Sequence, residues 1–207
     1  MKELKLKKII DKEINKLIRE AEIRDELVKI SRDIIKLSKE IIINVQLDNY
    51  ENVVNIIDEL KEKVKEFTNK AKEYMNLYYS GLVRDTLAEF VEAIQFYNLM
   101  KNGEYVPIES MKVEISSYIL GLLDVIGELR RSFLEALRKD DYKKAEKALT
   151  LMEDIYLSLC FHNIPDAILP GYRRKCDIAR QIIERSKSDL IYAKFVVKFQ
   201  NKLEGNL

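Results

Sequence analysis

The chain has 207 residues, of which 47% are hydrophobic and 34% are charged, so it can bury a sizeable core beneath a charged surface. Its formal net charge of +1 excludes a protein that attracts nucleic acid through a large overall positive charge, and any basic surface must be local. Only 6 glycines and 3 prolines are present, which is little turn chemistry for a protein built from many short strands.

The cysteines and the N-terminal residues predict a cytoplasmic protein. The two cysteines, Cys160 and Cys176, do not form a CxxC motif, and one possible pair is not a disulfide framework. Residues 1–8 carry too many charges for the apolar part of a signal peptide. No stretch approaches the roughly 18 uncharged apolar residues of a membrane span. We therefore expect a reducing, cytoplasmic setting and no membrane partner.

The first predicted element is one very long helix from Lys2 to about Leu47. Apolar residues recur through it at helical spacing, and no glycine or proline interrupts it. A helix of this length exceeds what one small core can cover, which indicates a partner chain or a large assembly.

Asp48-Asn49 is a break, and five further helices are predicted along the rest of the chain. Their approximate bounds are 50–75, 82–100, 109–138, 142–159 and 172–203. The segment 160–171 reads as irregular, with one helical turn between Pro165 and Leu169. The expected fold is all-α, a bundle of six or seven helices with long antiparallel helices, and residues 1–207 are expected to form a single domain.

Acidic residues interrupt two otherwise apolar helices. Asp124 and Glu128 stand four apart in residues 119–129, so they lie on one helix face. Glu89 and Glu92 stand three apart in residues 86–94 and also share a face. Carboxylates are costly to bury unless a metal ion or a basic side chain compensates them. If the two helices pack together, four carboxylates meet, and oxygen ligands of this kind suit Mg²⁺ or Mn²⁺.

Glycines also punctuate the predicted helix over 109–138. Gly121 and Gly127 lower its intrinsic helix propensity. We expect them to allow close backbone approach to a neighbouring helix.

Four motifs in order resemble the translin family. The first is residues 24–34 (RDELVKISRDI) with Ser38-Lys39, which resembles the family's first helix. The second, residues 89–93 (EFVEA), resembles a motif of its catalytic branch, translin-associated factor X. The third consists of residues 118–121, Asp124, residues 127–129 and Arg131. The fourth, at the start of the last helix, consists of Arg174, Lys175 and Asp177. The match covers nearly the whole chain, and the order and spacing of the motifs are its specific feature.

The resemblance implies a seven-helix bundle that assembles into a closed, mostly octameric shell with inward-facing active sites. Plain translin binds RNA and DNA and lacks acids equivalent to Glu89, Glu92 and Asp124, whereas factor X carries them and cleaves RNA in a complex with translin. The compact chain resembles prokaryotic members, archaeal ones above all, which assemble without a second type of subunit. We therefore expect a homo-octamer of the catalytic type.

The acids and the resemblance together predict a metal-dependent endoribonuclease that cleaves single-stranded RNA inside this shell. Glu89, Glu92 and Asp124 are the predicted catalytic metal ligands, and Glu128 is a fourth ligand or a group that orients one. The cofactor is Mg²⁺ or Mn²⁺, and cleavage of DNA stays open. The only histidine, His162, is read as structural or exposed, and the cysteines are read as core residues.

Positive charge near the acids is needed to bind RNA. Arg32, Lys39 and Arg131 occupy motif positions and are the predicted nucleic-acid contacts. The alternative is that they pair with the neighbouring acids Asp33, Glu40 and Glu128. Residues 173–175 form a basic cluster that binds phosphate or pairs with acids across a subunit interface, and Tyr78 and Tyr79 either stack on bases or pack in the core.

Other readings of the acids lead to other functions. Each acid alone is explained equally well by a salt bridge within the bundle. A non-catalytic RNA- or DNA-binding protein of the translin type is the main alternative. A ferritin-like di-iron bundle requires Glu-x-x-His motifs, which the sequence lacks. A purely structural coiled-coil partner requires long strict heptads and does not explain the acids.

Overall fold

The computed structural model describes the backbone of residues 2–204 and the side chains of residues 6–199. Within residues 2–204 the chain forms eight helices and no strand, and six of the helices are longer than one turn. They are α1 (Lys2–Gln46), α2 (Val53–Ala71), α3 (Met75–Tyr78), α4 (Gly81–Lys101), α5 (Ile108–Met111), α6 (Ile115–Arg138), α7 (Tyr142–Leu159) and α8 (Tyr172–Glu204). The prediction of an all-α fold is confirmed. That residues 1–207 form a single domain stays a prediction.

Helix boundaries follow local backbone chemistry. The bounds of α7 agree with the prediction, and the Asp141 carboxylate caps its first turn by accepting a hydrogen bond from the Lys144 amide. The helix expected over 109–138 is instead divided into α5 and α6. Lys112 ends α5 in the left-handed region at φ 54°, and Glu114 is extended before α6 begins. The predicted turn after Pro165 is present, since the amides of residues 168 and 169 donate to its carbonyl.

Helices joined by short links are antiparallel, whereas the long helices at the centre run in the same direction. α1 packs against α2, and α7 packs against both α6 and α8, in antiparallel pairs. α4 and α6 are parallel, because the Ser117 hydroxyl donates to the Arg84 carbonyl and Gly121 lies against Ala88, one turn further along both helices. The long antiparallel packing predicted from sequence therefore applies to neighbours joined by short links and not to α4 and α6.

The parallel arrangement of α4 and α6 requires a crossover, which residues 102–114 provide. Gln95, fully buried in α4, holds this segment against the helix. Its side-chain amide donates to the Val106 carbonyl at 2.7 Å and to the Tyr118 hydroxyl at 3.1 Å, and its oxygen accepts from the Val106 amide at 3.0 Å. The crossover thus returns the chain to the start of α4, where α6 begins.

The core includes residues from all eight helices. The first buried residue of α1 is Leu27, so the described residues before Ile23 extend beyond the core. Their apolar side chains are at least 46% exposed, and they are Leu6, Ile9, Ile10, Ile14, Leu17 and Ile18. This exposure agrees with the expectation that α1 is too long for one core. No helix within residues 2–204 is long and apolar enough to cross a membrane.

Candidate active site of four carboxylates

The site begins with a close contact between the backbones of α4 and α6. A Cβ added to Gly121 would lie 2.6 Å from the Ala88 carbonyl oxygen and 2.6 Å from the Val91 Cβ. No side chain larger than hydrogen fits there, so the helices can approach closely. The predicted close approach is therefore confirmed at Gly121. It does not apply to Gly127, where an added Cβ meets no atom within 4 Å.

This contact places the two acidic pairs beside each other. Asp124 and Glu128 follow Gly121 by one and two turns on the same face of α6. Glu89 and Glu92 directly follow the α4 residues that Gly121 contacts. The two pairs interact electrostatically, because the charges of Asp124, Glu89 and Glu128 each raise the pKa of Glu92.

Burial makes these carboxylates unusual. Glu92 and Glu128 are each 9% exposed, and Glu89 and Asp124 are half-buried. Burial is the main cause that raises the pKa of Glu92 to about 8, and repulsion from the other carboxylates adds to it. Burial also raises the pKa of Glu89, Asp124 and Glu128.

Basic and polar side chains contact two of the four acids, and a third lies within range of a lysine charge. The Lys175 ammonium donates to Asp124 from the first turn of α8. The Gln46 amide donates to Glu128, and the Arg131 guanidinium lies 3.1 Å from it. The Lys39 charge lowers the pKa of Glu89 against the effect of burial, so the Lys39 ammonium lies within electrostatic range of that carboxylate.

Glu89 and Glu92 form no such contact with the described residues, and Glu92 is the more buried of the two. Among the described residues it forms neither a hydrogen bond nor an ion pair, although it is almost fully buried. A buried carboxylate in this position must either hold a proton or face a cation. Its chemistry and that of its three neighbours, all oxygen donors, therefore fit a hard divalent cation.

In the described structure the four carboxylates are not arranged as a complete set of metal ligands. Within the part of the chain that the structure describes, no group of three or more acidic, histidine or cysteine side chains is arranged to hold a metal ion. Two of the carboxylates are instead oriented by Lys175, Gln46 and Arg131. The assignment of Glu89, Glu92, Asp124 and Glu128 as ligands thus stays a prediction.

The predicted nucleic-acid contacts differ in their pairing. Arg32 and Lys39 are exposed, stand seven residues apart on one face of α1, and line a shallow groove. Neither has an ion-pair partner among the described side chains, so the pairing considered with Asp33 or Glu40 is not formed. Arg131 is mostly exposed and does pair with Glu128, which matches the alternative reading for that residue.

The other residues singled out from sequence have mainly structural contacts. Tyr78 packs against the core and donates to Glu114 at 2.8 Å, whereas Tyr79 is exposed. His162 is exposed beside the Ser158 carbonyl. Cys160 and Cys176 are free thiols packed against the core.

Two contacts at the site were missed by the sequence reasoning. Gln46 lies seven residues after Lys39, and this spacing on the same face of α1 was a usable signal. Lys175 was placed in a basic cluster, but its partner was left open between phosphate and the acids of another subunit. In the structure its partner is Asp124 of the same chain.

The fold and site define an all-α protein in which parallel helices bring four carboxylates together. The family model described as the Translin family matches residues 22–193. The chain therefore belongs to the translin family, as its motifs suggested. An uncharacterized protein of Methanocaldococcus jannaschii is 31% identical over 186 residues, which cover 86% of this chain and 79% of that protein.

Solved structures of similar proteins agree with the family assignment. AfC3PO in complex with duplex RNA has a TM-score of 0.81 and 34% identity, and the match covers 89% of this chain and 96% of that one. A crystal structure of AfC3PO has a TM-score of 0.80 and 35% identity, and the match covers 89% of this chain and 97% of that one. NeC3PO in its apo form has a TM-score of 0.79 and 27% identity, and the match covers 89% of this chain and 96% of that one. The translin-like fold is thus confirmed.

Proposed function

We propose that this protein is a metal-dependent endoribonuclease of the catalytic branch of the translin family. The observation that carries the proposal is Glu92. It is a buried carboxylate to which the described residues donate no hydrogen bond, and it lies within electrostatic range of three further carboxylates. The AfC3PO structure with duplex RNA supports RNA as the ligand class.

In this proposal the acids hold the cofactor and the basic residues position the RNA. Glu89, Glu92 and Asp124 hold Mg²⁺ or Mn²⁺, which when bound stabilises charge on the phosphate and activates water. Glu128 acts as a fourth ligand or orients one, with Gln46 fixing its side chain. Arg32 and Lys39, which lack ion-pair partners among the described residues, contact backbone phosphates, and Arg131 reaches the same region from α6.

The proposed assembly is a closed homo-octamer with the sites facing inward. The support for self-association is the apolar face of α1 before Ile23, which has no partner within the described chain. The last part of α8 adds a second such face with Ile191 and Phe195, both more than 60% exposed.

The deciding experiment is cleavage of end-labelled RNA with Mg²⁺ or Mn²⁺ and with chelator. We expect metal-dependent cleavage that falls on the order of 100-fold or more in Asp124→Asn and in Glu92→Gln, because each change removes a ligand oxygen. Glu153→Gln is the matched control, since Glu153 pairs with Lys187 of α8 as Asp124 pairs with Lys175. Undiminished cleavage in Asp124→Asn contradicts the mechanism.

The same samples distinguish the main alternative and the substrate form. Salt-sensitive RNA binding without any metal-dependent product indicates a non-catalytic binder of the translin type. Parallel reactions with single-stranded RNA, duplex RNA and single-stranded DNA test the predicted preference for single-stranded RNA. The comparison is informative because AfC3PO was solved with a duplex.

A further inference from the structure

We propose that the Lys175 ammonium is a built-in counter-ion that occupies the cation position at Asp124, and that a divalent metal ion must displace it to bind. The inference rests on the function proposed above. It gives Lys175 a role in controlling whether the metal site is occupied.

The position of Lys175 is fixed by the segment that precedes α8. The Tyr172 hydroxyl donates to the carbonyls of Leu159 and His162, which ties the start of α8 to the end of α7. Gly171 permits the turn into the helix with φ 84°. The first turn of α8 is therefore held against α6, and Lys175 reaches Asp124 across that interface.

The Lys175 charge acts on more than one acid. It lowers the pKa of Asp124, of Glu89 and of Glu92 in opposition to burial. The ammonium thus contacts Asp124 and lies within electrostatic range of Glu89 and Glu92. A metal ion bound by these three side chains must take the same region, so the two cations compete for it.

Competition explains why the described acids do not form a closed ligand set. The Asp124 oxygen that accepts from the Lys175 ammonium already has a cation beside it. The Arg131–Glu128 pair is different, because both residues lie on α6 and the guanidinium is 67% exposed. Among the ion pairs of the described residues, that of Lys175 is the one that joins a separate helix to a proposed ligand.

Release of Lys175 is easy because its side chain is about one-third exposed. An ammonium on a flexible stem can move from Asp124 into solvent or towards an RNA phosphate without leaving a buried charge. The exchange requires no change of the helices. A divalent metal ion then replaces the singly charged Lys175 ammonium beside the four acids.

The first test measures Mn²⁺ binding to RNA-free protein by calorimetry. Lys175→Met removes the competing charge and keeps the stem, so we expect Mn²⁺ to bind about five- to tenfold more tightly than to the wild type. Lys175→Arg retains the charge and should bind no more tightly than the wild type. Lys187→Met is the matched control. It removes the ion pair between Lys187 of α8 and Glu153, which is not one of the four acids of the site.

The outcomes separate the inference from the proposed function. Tighter binding in Lys175→Met that is lost on adding Asp124→Asn supports the exchange. Equal or weaker binding in Lys175→Met, with binding still abolished by Asp124→Asn, overturns the inference and leaves the metal site standing. Absence of Mn²⁺ binding in every variant overturns the proposed metal site and the inference with it.

A second measurement uses the wild-type chain and does not depend on the folding of a variant. Lysine acylation by a small anhydride is followed by mass spectrometry with and without Mn²⁺. We expect Mn²⁺ to increase acylation at Lys175, because the displaced ammonium loses its carboxylate partner, and to leave Lys187 unchanged. Unchanged or reduced acylation at Lys175 with Mn²⁺ bound contradicts the exchange.

Discussion

Glu92 is a buried carboxylate, costly to ionise, that accepts no hydrogen bond from the residues with described side chains. Burial and three neighbouring carboxylates raise its pKa to about 8. In the unfolded chain the same carboxyl has a pKa near its ordinary value of 4.5. Between these two pH values the folded protein therefore retains a proton that the unfolded chain releases, and the free energy of unfolding falls as pH rises through this window.

Glu92→Gln should remove this pH dependence while conserving shape. In metal-free buffer we expect the variant and the wild type to be similar at pH 5. At pH 9 the variant should be more stable by roughly 2 to 4 kcal/mol, because it lacks the buried negative charge. Urea unfolding at the two pH values measures the difference, and Glu153→Gln serves as the control. A constant difference between Glu92→Gln and wild type at both pH values would count against this account.

The acids of the site could be predicted from the sequence, but the side chains that contact them could not. Asp124 and Glu92 stand out because they interrupt apolar helices, and periodicity places each on a face with a second acid. The contact of Lys175 depends on how α8 docks against α6, about 50 residues away in sequence. Nothing in the local pattern around Lys175 distinguishes Asp124 from any other acid as its partner.

At the scale of helices, the site depends on the distance between α4 and α6. Gly121 sets that distance, since its backbone lies directly against Ala88 and Val91. Gly127, two turns nearer the end of α6, faces open space. The two glycines of one helix therefore differ in function, and they form a matched pair for mutation.

Gly121→Ala should destabilise the protein by about 1–3 kcal/mol, because its Cβ would force α6 away from α4. We expect the same change to weaken Mn²⁺ binding, since the two acidic pairs would separate. Gly127→Ala should instead raise the free energy of unfolding by about 0.5–1 kcal/mol through helix propensity. Chemical denaturation of both variants tests this contrast, and equal effects of the two substitutions would contradict the role given to Gly121.

The number of long helices followed from periodicity, whereas their direction did not. Scarce glycine and proline, with apolar residues at helical spacing, were sufficient to predict every long helix. The division between α5 and α6 was missed because a lysine, Lys112, takes the left-handed conformation that usually marks glycine. The parallel docking depends on buried hydrogen bonds of Gln95. In the sequence, Gln95 does not stand out from any other polar residue of a helix.

At the scale of the whole molecule, α1 extends beyond the core that it helps to build. Leu17 is 65% exposed and lies on the apolar face of this extension. Such a face in a stable protein indicates association with another chain. The proposed octamer supplies this partner through a second copy of the same chain.

Leu17→Glu should weaken the assembly, because a charge replaces an apolar side chain that the proposed interface buries. We expect association to weaken on the order of tenfold or more, seen as a smaller native mass at low protein concentration. Asn15→Glu adds the same charge to an exposed polar position of the same turn and is the control. If both variants keep the wild-type mass, this face of α1 is not a subunit contact.

The crossover of residues 102–114 has a consequence for the order of folding. α4 and α6 cannot dock in parallel until this segment has returned along α4 to the position that Gln95 holds. Contacts that need such a return are more distant in sequence than those of an up-and-down bundle, and they form later. Hairpins such as α6–α7 can therefore assemble early, while the pocket of acids takes shape only near the end of the reaction.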